Sequence, residues 1–116
     1  MNQSSAPSDP EMERRMAELG QRYLVRTAGE LEELKQWVDR IPEGDEATVK
    51  AIEMLSHRIR GSGAMFGFEL VSDVAGEIEM LSVDAKLGLQ PDRAALQMRL
   101  AALLRVLTFV LGAARL

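Results

Sequence analysis

The chain has 116 residues, 47% of them hydrophobic, which is enough length and apolar material for one domain with its own core. Its net charge of −4 argues against nucleic acid as the main partner, because that binding needs clustered excess cations. The absence of cysteine excludes disulfides and thiolate metal sites.

The amino-terminal end changes from a polar segment to a helical pattern near residue 9. Residues 1–8 are small and polar, which predicts a disordered tail, and the domain is expected to span residues 9–116. Asp9 before Pro10 is typical of a helix start, with Asp as the N-cap and Pro at the first helical position. Apolar residues then recur at helical spacing: Met12, Met16, Leu19 and Tyr23.

Two features can divide this first helical region. Gly20 is one possible break. Thr27 and Glu30 have the spacing of a capping box, whose side chains satisfy the first free backbone amides of a new helix. Either the helix restarts there or it runs through. The predicted fold assumes that a new helix begins there, and it therefore includes an additional short N-terminal helix. Glu30 and its acidic neighbours are expected to form a solvated face.

Three more helices are predicted downstream, with Pro42 ending the first region. One spans Glu46 to Met65, with Asp45 as N-cap and Gly67 as the stop. The next helix ends at Gly88, and four of its residues are expected to face the core: Leu70, Val74, Ile78 and Leu81. The last opens at Pro91-Asp92 and carries a leucine stripe: Leu96, Leu100, Leu103, Leu107 and Leu111.

No segment shows the alternation of a strand, and the connections are short. Short connections join antiparallel neighbours in helical bundles. The sequence therefore predicts an all-α fold, an antiparallel up-down four-helix bundle with the additional N-terminal helix.

His57 is the only histidine, and helical periodicity places it away from the apolar stripe. At about 100° per residue it lies about 200° from both Leu55 and Ile59. An ordinary solvated histidine is one interpretation. The neighbours on the same face favour another, because Arg60 can pair with an anion and Gly61 covers little of the ring. A neutral exposed imidazole is a competent nucleophile, so this face suits a group that carries phosphate.

The sequence lacks the parts of a self-sufficient phosphotransfer enzyme. It has no second histidine and no Gly-rich loop of the G-x-x-x-x-G-K-S/T form. Phosphoryl transfer depends on positioning and on metal or cationic stabilisation of the transferred group. The metal and the groups that position the phosphoryl group are therefore expected to come from partner proteins.

The segment from His57 to Gly67 resembles the histidine-containing phosphotransfer (HPt) domain family. The family motif is His-x-hydrophobic-Lys/Arg-Gly-small-small-x-x-apolar-Gly. It is matched here by His57, Ile59, Arg60, Gly61, Ser62, Gly63, Phe66 and Gly67. The resemblance implies a four-helix bundle that carries phosphate without a nucleotide, cofactor or metal site of its own. Magnesium would be bound by the partner.

The resemblance also implies roles for single residues. His57 would be phosphorylated at Nε2, Arg60 would hold the phosphoryl oxygens, and Gly61 would keep the docking face low. Partner contacts are predicted at Met54, Arg58, Ala64 and Phe68, where Phe68 is either a docking residue or a core plug. The partners implied are receiver domains of response regulators and a hybrid histidine kinase, in a two-component phosphorelay.

Two other functions stay open at this point. The bundle can act by binding a receiver or kinase without being phosphorylated, or it can be an enzyme with a phosphohistidine intermediate, which the missing acid/base and metal groups disfavour.

The composition, rich in Arg and Ala, is typical of a bacterial protein. Met1–Pro10 does not resemble a signal peptide, and the apolar run in Leu100–Gly112 is too short to span a membrane. We therefore expect a cytoplasmic protein without a membrane partner. A monomer is also expected.

Overall fold

The computed structural model describes residues 9–90 and 92–114. These residues form four α-helices, α1 (Pro10–Asp39), α2 (Glu46–Met65), α3 (Glu69–Lys86) and α4 (Arg93–Ala114), with a 3-10 turn at Ile41–Glu43. Within those two ranges there is no strand. The all-helical prediction is therefore confirmed. The predicted tail at residues 1–8 and the predicted role of Pro91 lie outside the described residues.

The first helix differs from the prediction, because α1 runs uninterrupted for 30 residues and no separate N-terminal helix is formed in the described chain. The side chains expected to cap a new helix serve other purposes. Thr27 is fully buried, and the Glu30 carboxylate lies 3.4 Å from Arg58 on α2. Gly20 stays helical, since a glycine within a helix costs about 1 kcal/mol but does not end it.

The predicted N-caps are confirmed by side-chain hydrogen bonds. The Asp9 carboxylate accepts from the backbone amide of Glu11 at 2.9 Å, and that of Asp45 accepts from the amide of Thr48 at 3.2 Å. Asp92 accepts from two amides in the first turn of α4, at 3.1 and 3.2 Å. Each cap satisfies donors that a helix start leaves free.

The predicted glycine stops are also confirmed. Gly67 and Gly88 have φ angles of +82° and +80°, in the left-handed region that glycine adopts without steric cost. Beyond α2, the amide of Phe68 donates to the carbonyl of Gly63 at 2.8 Å. This is the bond of a Schellman motif, which satisfies a carbonyl in the last turn of the helix.

The core is formed by one stripe of each helix, and two details differ from the prediction. Val71 is 1% exposed and Leu70 is 65% exposed, so Val71 takes the first inward position of α3 in place of Leu70, while Val74 and Ile78 are buried as predicted. In α4, Leu104 is buried where Leu103 was expected, and Leu103 is only partly buried. At both places two apolar residues are adjacent, and packing selects the one that fits the 3–4 spacing.

The first turns of α1 extend past the end of the bundle. Tyr23 is the first buried residue of α1, and it packs against Phe66 and Phe68 at the turn between α2 and α3. Pro10 to Arg22, which we call the α1 overhang, is exposed apart from a half-buried Gly20. The apolar residues predicted to face the core here are exposed instead: Met12, Met16 and Leu19.

Helix α4 is both a core helix and an apolar one. It has 22 residues, and its most apolar window has a mean hydropathy of 1.7, a length and composition that membrane-crossing helices and core helices of soluble proteins share. Five of its leucines are buried against the other helices: Leu96, Leu100, Leu104, Leu107 and Leu111.

Candidate functional site

His57 lies on the exposed face of α2, as its position in the helical pattern predicted. Its side chain is 63% exposed. The buried residues on either side of it, Leu55 and Ile59, hold α2 against the core and so fix which way this face points. The imidazole is therefore held on a rigid helix and is open to a second molecule.

The imidazole is oriented by a carboxylate on the neighbouring helix. His57 Nδ1 lies 2.7 Å from Oε2 of Glu79, which is on α3. Because a carboxylate accepts, Nδ1 carries the proton and donates, and in the neutral ring the lone pair is then on Nε2. This tautomer leaves Nε2 as the nucleophilic atom of the ring.

Arg60 joins the same cluster from one turn further along α2. Its Nε donates to Oε1 of Glu79 at 2.6 Å, so Glu79 accepts from both α2 side chains with its two oxygens. Arg60 Nη2 is also 3.2 Å from His57 Nδ1. An Nδ1 that donates to Glu79 cannot also accept, so this is a close approach and not a second hydrogen bond. Arg60 lies beside Nδ1, with its charge available near the ring.

Glu79 is held in its ionised form by these two neighbours. Its side chain is 18% exposed, and this partial burial acts to raise its pKa. The hydrogen bonds and positive charge of Arg60 and His57 act in the opposite direction and prevail, so the pKa of Glu79 lies below its ordinary value. A fixed negative charge therefore faces the Nδ1 side of the imidazole.

Two glycines leave space around the cluster, each for a different neighbour. A Cβ on Gly61 would meet nothing within 4 Å, so the fold itself does not require glycine there. A Cβ on Gly76 of α3 would lie 3.0 Å from Cδ of Arg60. Gly76 therefore makes room for the Arg60 side chain, whereas the space at Gly61 is open to solvent.

The turns of α2 and α3 on either side of the cluster are also joined. Ser72 donates to the backbone carbonyl of Arg60 at 2.8 Å, and Lys86 pairs with Glu53 at 2.8 Å. Lys50 and Arg58 line the same shallow depression as His57, together with Lys86. The depression beside the imidazole thus contains three cations, of which Lys86 pairs with Glu53 and Arg58 with Glu30.

The residues predicted for partner contacts are found in different settings. Met54 is 54% exposed, and Ala64 is exposed on the face of His57. Arg58 is exposed but pairs with the nearly buried Glu30, which is therefore not part of a solvated face. Phe68 is half-buried and stacks on Tyr23 with ring centroids 5.1 Å apart, so it packs as a plug at the end of the bundle. Their contacts with a partner stay a prediction.

Tyr23 sits at the same end of the bundle in a tightly packed setting. Its ring lies between those of Phe66 and Phe68. Burial raises the pKa of its phenol, and among the described residues its buried hydroxyl has no hydrogen-bond partner. A Cβ on Gly63 would lie 3.0 Å from the Tyr23 hydroxyl, so glycine at this point lets α1 and α2 approach closely.

Sequence reasoning missed Glu79 and Gly76. Glu79 is 22 residues from His57 on another helix, and only the packing of α3 on α2 brings it to the ring. Gly76 did carry a signal, because a glycine inside a helical pattern usually has a packing or functional reason. Among residues 9–90 and 92–114, no group of three or more acidic or histidine side chains is placed to hold a metal ion.

Comparison with known proteins assigns the chain to a family. No curated protein and no solved structure matched it. A family model, that of the Hpt domain, matched residues 11–108, which include all of the site described above. The match covers most of the chain and agrees with the four-helix architecture and with the exposed histidine of α2. The chain therefore belongs to the Hpt domain family.

Proposed function

We propose that this protein carries a phosphoryl group on Nε2 of His57, accepting it from the aspartyl phosphate of one receiver domain and passing it to another. Hpt domains are phosphoryl carriers of two-component systems and interact with receiver domains and kinases. The observation that supports the proposal best is the contact between His57 Nδ1 and Glu79, which leaves the Nε2 lone pair free on an exposed ring.

The transfer step uses that lone pair. Nε2 attacks the phosphorus, an N–P bond forms, and the O–P bond of the aspartyl phosphate breaks with its electron pair left on the carboxylate. No proton has to leave Nε2, because the ring proton is on Nδ1. The ring gains positive charge as the N–P bond forms, and the Glu79 carboxylate beside Nδ1 stabilises that charge. Glu79 thus acts as a positioning residue.

The remaining roles belong to Arg60, Gly61 and the partner. Arg60 pairs with the phosphoryl oxygens when the partner docks, and Gly61 allows close approach to the ring. The receiver supplies Mg²⁺, so the bundle needs no nucleotide or metal site. We further propose that the four helices run antiparallel in up-down order and that the protein acts in the bacterial cytoplasm, with a hybrid histidine kinase at the start of the relay.

The proposal is tested by phosphoryl transfer to the His57→Gln variant. A receiver labelled with radioactive phosphate should transfer label to the wild-type protein in an acid-labile form, and none to the variant. Circular dichroism of the variant checks that the bundle still folds. Label on His57→Gln would contradict the assignment. A wild type that binds the receiver without taking label would instead show a module that acts by binding alone.

A further inference from the structure

Two arginines flank His57 and turn to opposite sides of α2. At about 100° per residue, Arg58 lies about 100° from His57 in one direction around the helix, and Arg60 lies about 60° from it in the other. Arg60 pairs with Glu79 of α3, whereas Arg58 pairs with Glu30 of α1. The imidazole is therefore placed between two arginine–glutamate pairs, each formed with a different neighbouring helix.

The Arg60 pair lies at the Nδ1 edge of the ring. Glu79 accepts from Nδ1, and Arg60 Nη2 is 3.2 Å from the same atom. Because the two nitrogens of an imidazole face different directions, a phosphoryl group on Nε2 projects away from this edge. Arg60 lines a depression formed mainly by α3, whereas His57 lines the one that contains Arg58. In the free protein, Arg60 is thus engaged on the side of the ring that does not carry the phosphoryl group.

The contact between Arg58 and Glu30 is the weaker of the two pairs. A single distance of 3.4 Å joins Arg58 Nη1 to Oε2 of Glu30, and the Arg58 side chain is 60% exposed. An exposed cation in such a contact contributes little, and its guanidinium has five N–H donors. The other oxygen of Glu30, Oε1, is buried and has no hydrogen-bond partner in the described part of the chain. Arg58 can therefore leave this contact for a better acceptor.

The other charges of the depression favour an anion beside Arg58. The depression is lined by three cations and two carboxylates. Glu53 pairs with Lys86 at 2.8 Å, and both oxygens of Glu79 accept from the cluster at the Nδ1 edge. Both carboxylates are thus already paired with positive or donating groups. Lys50 and Arg58 are then the cations that remain to meet an added negative charge.

We propose that in the free protein Arg58 binds the phosphoryl group on Nε2 of His57, exchanging the Glu30 carboxylate for the phosphoryl oxygens. This inference rests on the proposed phosphorylation of His57. A phosphoryl group offers up to two negative charges and three acceptor oxygens, which a guanidinium binds in a bidentate manner. Glu30 competes for the same guanidinium and so limits how tightly the phosphoryl group is held. Arg60 stays paired with Glu79 until a receiver docks.

The proposal can be tested without a receiver, because phosphoramidate phosphorylates histidine directly. Nε2 attacks the phosphorus, a new N–P bond forms, and ammonia leaves with the electron pair of the bond that breaks. The loaded full-length protein is then titrated with acid and followed by phosphorus NMR. The midpoint reports the last ionisation of the phosphoryl group. A guanidinium beside that group favours its doubly charged form and lowers the midpoint.

Arg58→Ala should raise this midpoint by roughly 0.5 pH unit. Arg105→Ala is the matched control, because it removes the same charge from an exposed position of α4, away from the helix that carries His57. Its midpoint should equal that of the wild type. An Arg58→Ala protein that titrates like the wild type would overturn the proposal.

Glu30→Gln tests the exchange itself. Without the competing carboxylate Arg58 binds the phosphoryl group more tightly, so the midpoint should fall below that of the wild type. In the Arg58→Ala background the same substitution should have little effect, because its effect acts through Arg58. The double variant also leaves no buried unpaired carboxylate, so the comparison stands even if Arg58→Ala alone is unstable. Equal shifts in both backgrounds would show that Glu30 acts through its charge alone, and the exchange would be wrong.

The two proposals fail in different experiments. Label accepted by His57→Gln from a receiver would contradict the assignment of His57. A loaded wild type whose midpoint is indifferent to Arg58 would contradict only the role of Arg58 and would leave transfer through His57 in place.

Discussion

At the scale of single residues, the site combines one oriented imidazole with one position that no side chain covers. Glu79 fixes the imidazole through Nδ1, and Gly61 leaves the helix surface beside it bare. Both features can be tested separately, because Glu79 is hydrogen-bonded to the His57 ring whereas a Cβ at Gly61 would meet nothing within 4 Å. Replacing Gly61 is expected to raise the stability of the fold, and replacing Glu79 is expected to lower it.

Gly61→Ala should stabilise the fold and impair transfer. The added Cβ meets nothing in this chain, and alanine in a helix is about 1 kcal/mol more favourable than glycine. A docked receiver would meet that Cβ, so transfer to His57 should slow. Gly29→Ala is the control, since Gly29 is also helical, exposed and without neighbours. Urea unfolding should show a similar gain for both variants, and the transfer rate should fall only for Gly61→Ala. Equal rates for both would exclude steric clearance at Gly61.

Glu79→Gln should make the free energy of unfolding less dependent on pH in the acidic range. The folded state lowers the pKa of Glu79 below its ordinary value of 4.5, so the ionised carboxylate contributes stability above that pH. The contribution is lost as the pH falls through the lower, folded-state pKa. The difference in free energy of unfolding between wild type and variant should therefore shrink as the pH is lowered below about 4.5.

Transfer by Glu79 variants gives an independent measure of its positioning role. Glutamine can still accept from Nδ1 but lacks the charge, and alanine can do neither. The rate should therefore fall from wild type to Gln to Ala, by roughly 10-fold or more for Ala. A Glu79→Ala protein with a wild-type rate would show that Nδ1 needs no carboxylate.

At the scale of the elements, the helix ends depend on local residues and were predicted from them. Asp45 and Gly67 each act on backbone groups within five residues, so the bounds of α2 follow from the sequence alone. The break within α1 was predicted wrongly, because Thr27 is buried and Glu30 pairs with Arg58 on α2, so neither side chain caps a new helix. The same residue types cap a helix or fill an interface, and only tertiary packing distinguishes the two.

Gly67→Ala should lower the free energy of unfolding by about 1 kcal/mol, because an L-residue at a φ of +82° is strained. The Schellman bonds that close α2 are otherwise unchanged. Chemical denaturation measures the loss. Alanine at Gly112, inside α4 and without neighbours, should instead be neutral or stabilising. An unchanged stability of Gly67→Ala would mean that the turn relaxes away from this conformation.

At the scale of the whole molecule, a single core joins all four helices. Leu34 is fully buried in it. Leu34→Ala should lower the free energy of unfolding by about 2–5 kcal/mol, from lost burial and the cavity left behind. Trp37, the only tryptophan, reports on the end of α1 by fluorescence, and circular dichroism reports on all helices. The two unfolding transitions should coincide. Separate midpoints would show that the helices unfold independently.

The fold as a whole was largely predictable and the site only in part. Periodicity separated the exposed His57 from the buried Ile59, which is a property of one helix. It could not choose between Leu70 and Val71, because both are apolar and only contact with α4 and α2 decides. Nor could it find Glu79, because the partner of His57 depends on how far α3 is shifted along α2.

The contact between His57 and Glu79 joins residues only 22 apart, and every hydrogen bond of the cluster lies within α2 and α3. By contrast, α1 and α4 meet through pairs such as Val38 and Gln97, which are 59 residues apart. Closing a shorter loop loses less chain entropy, and local contacts form faster than distant ones. In terms of chain topology, the His57 cluster is a property of two consecutive helices, while the other two helices contribute the core that holds this pair together.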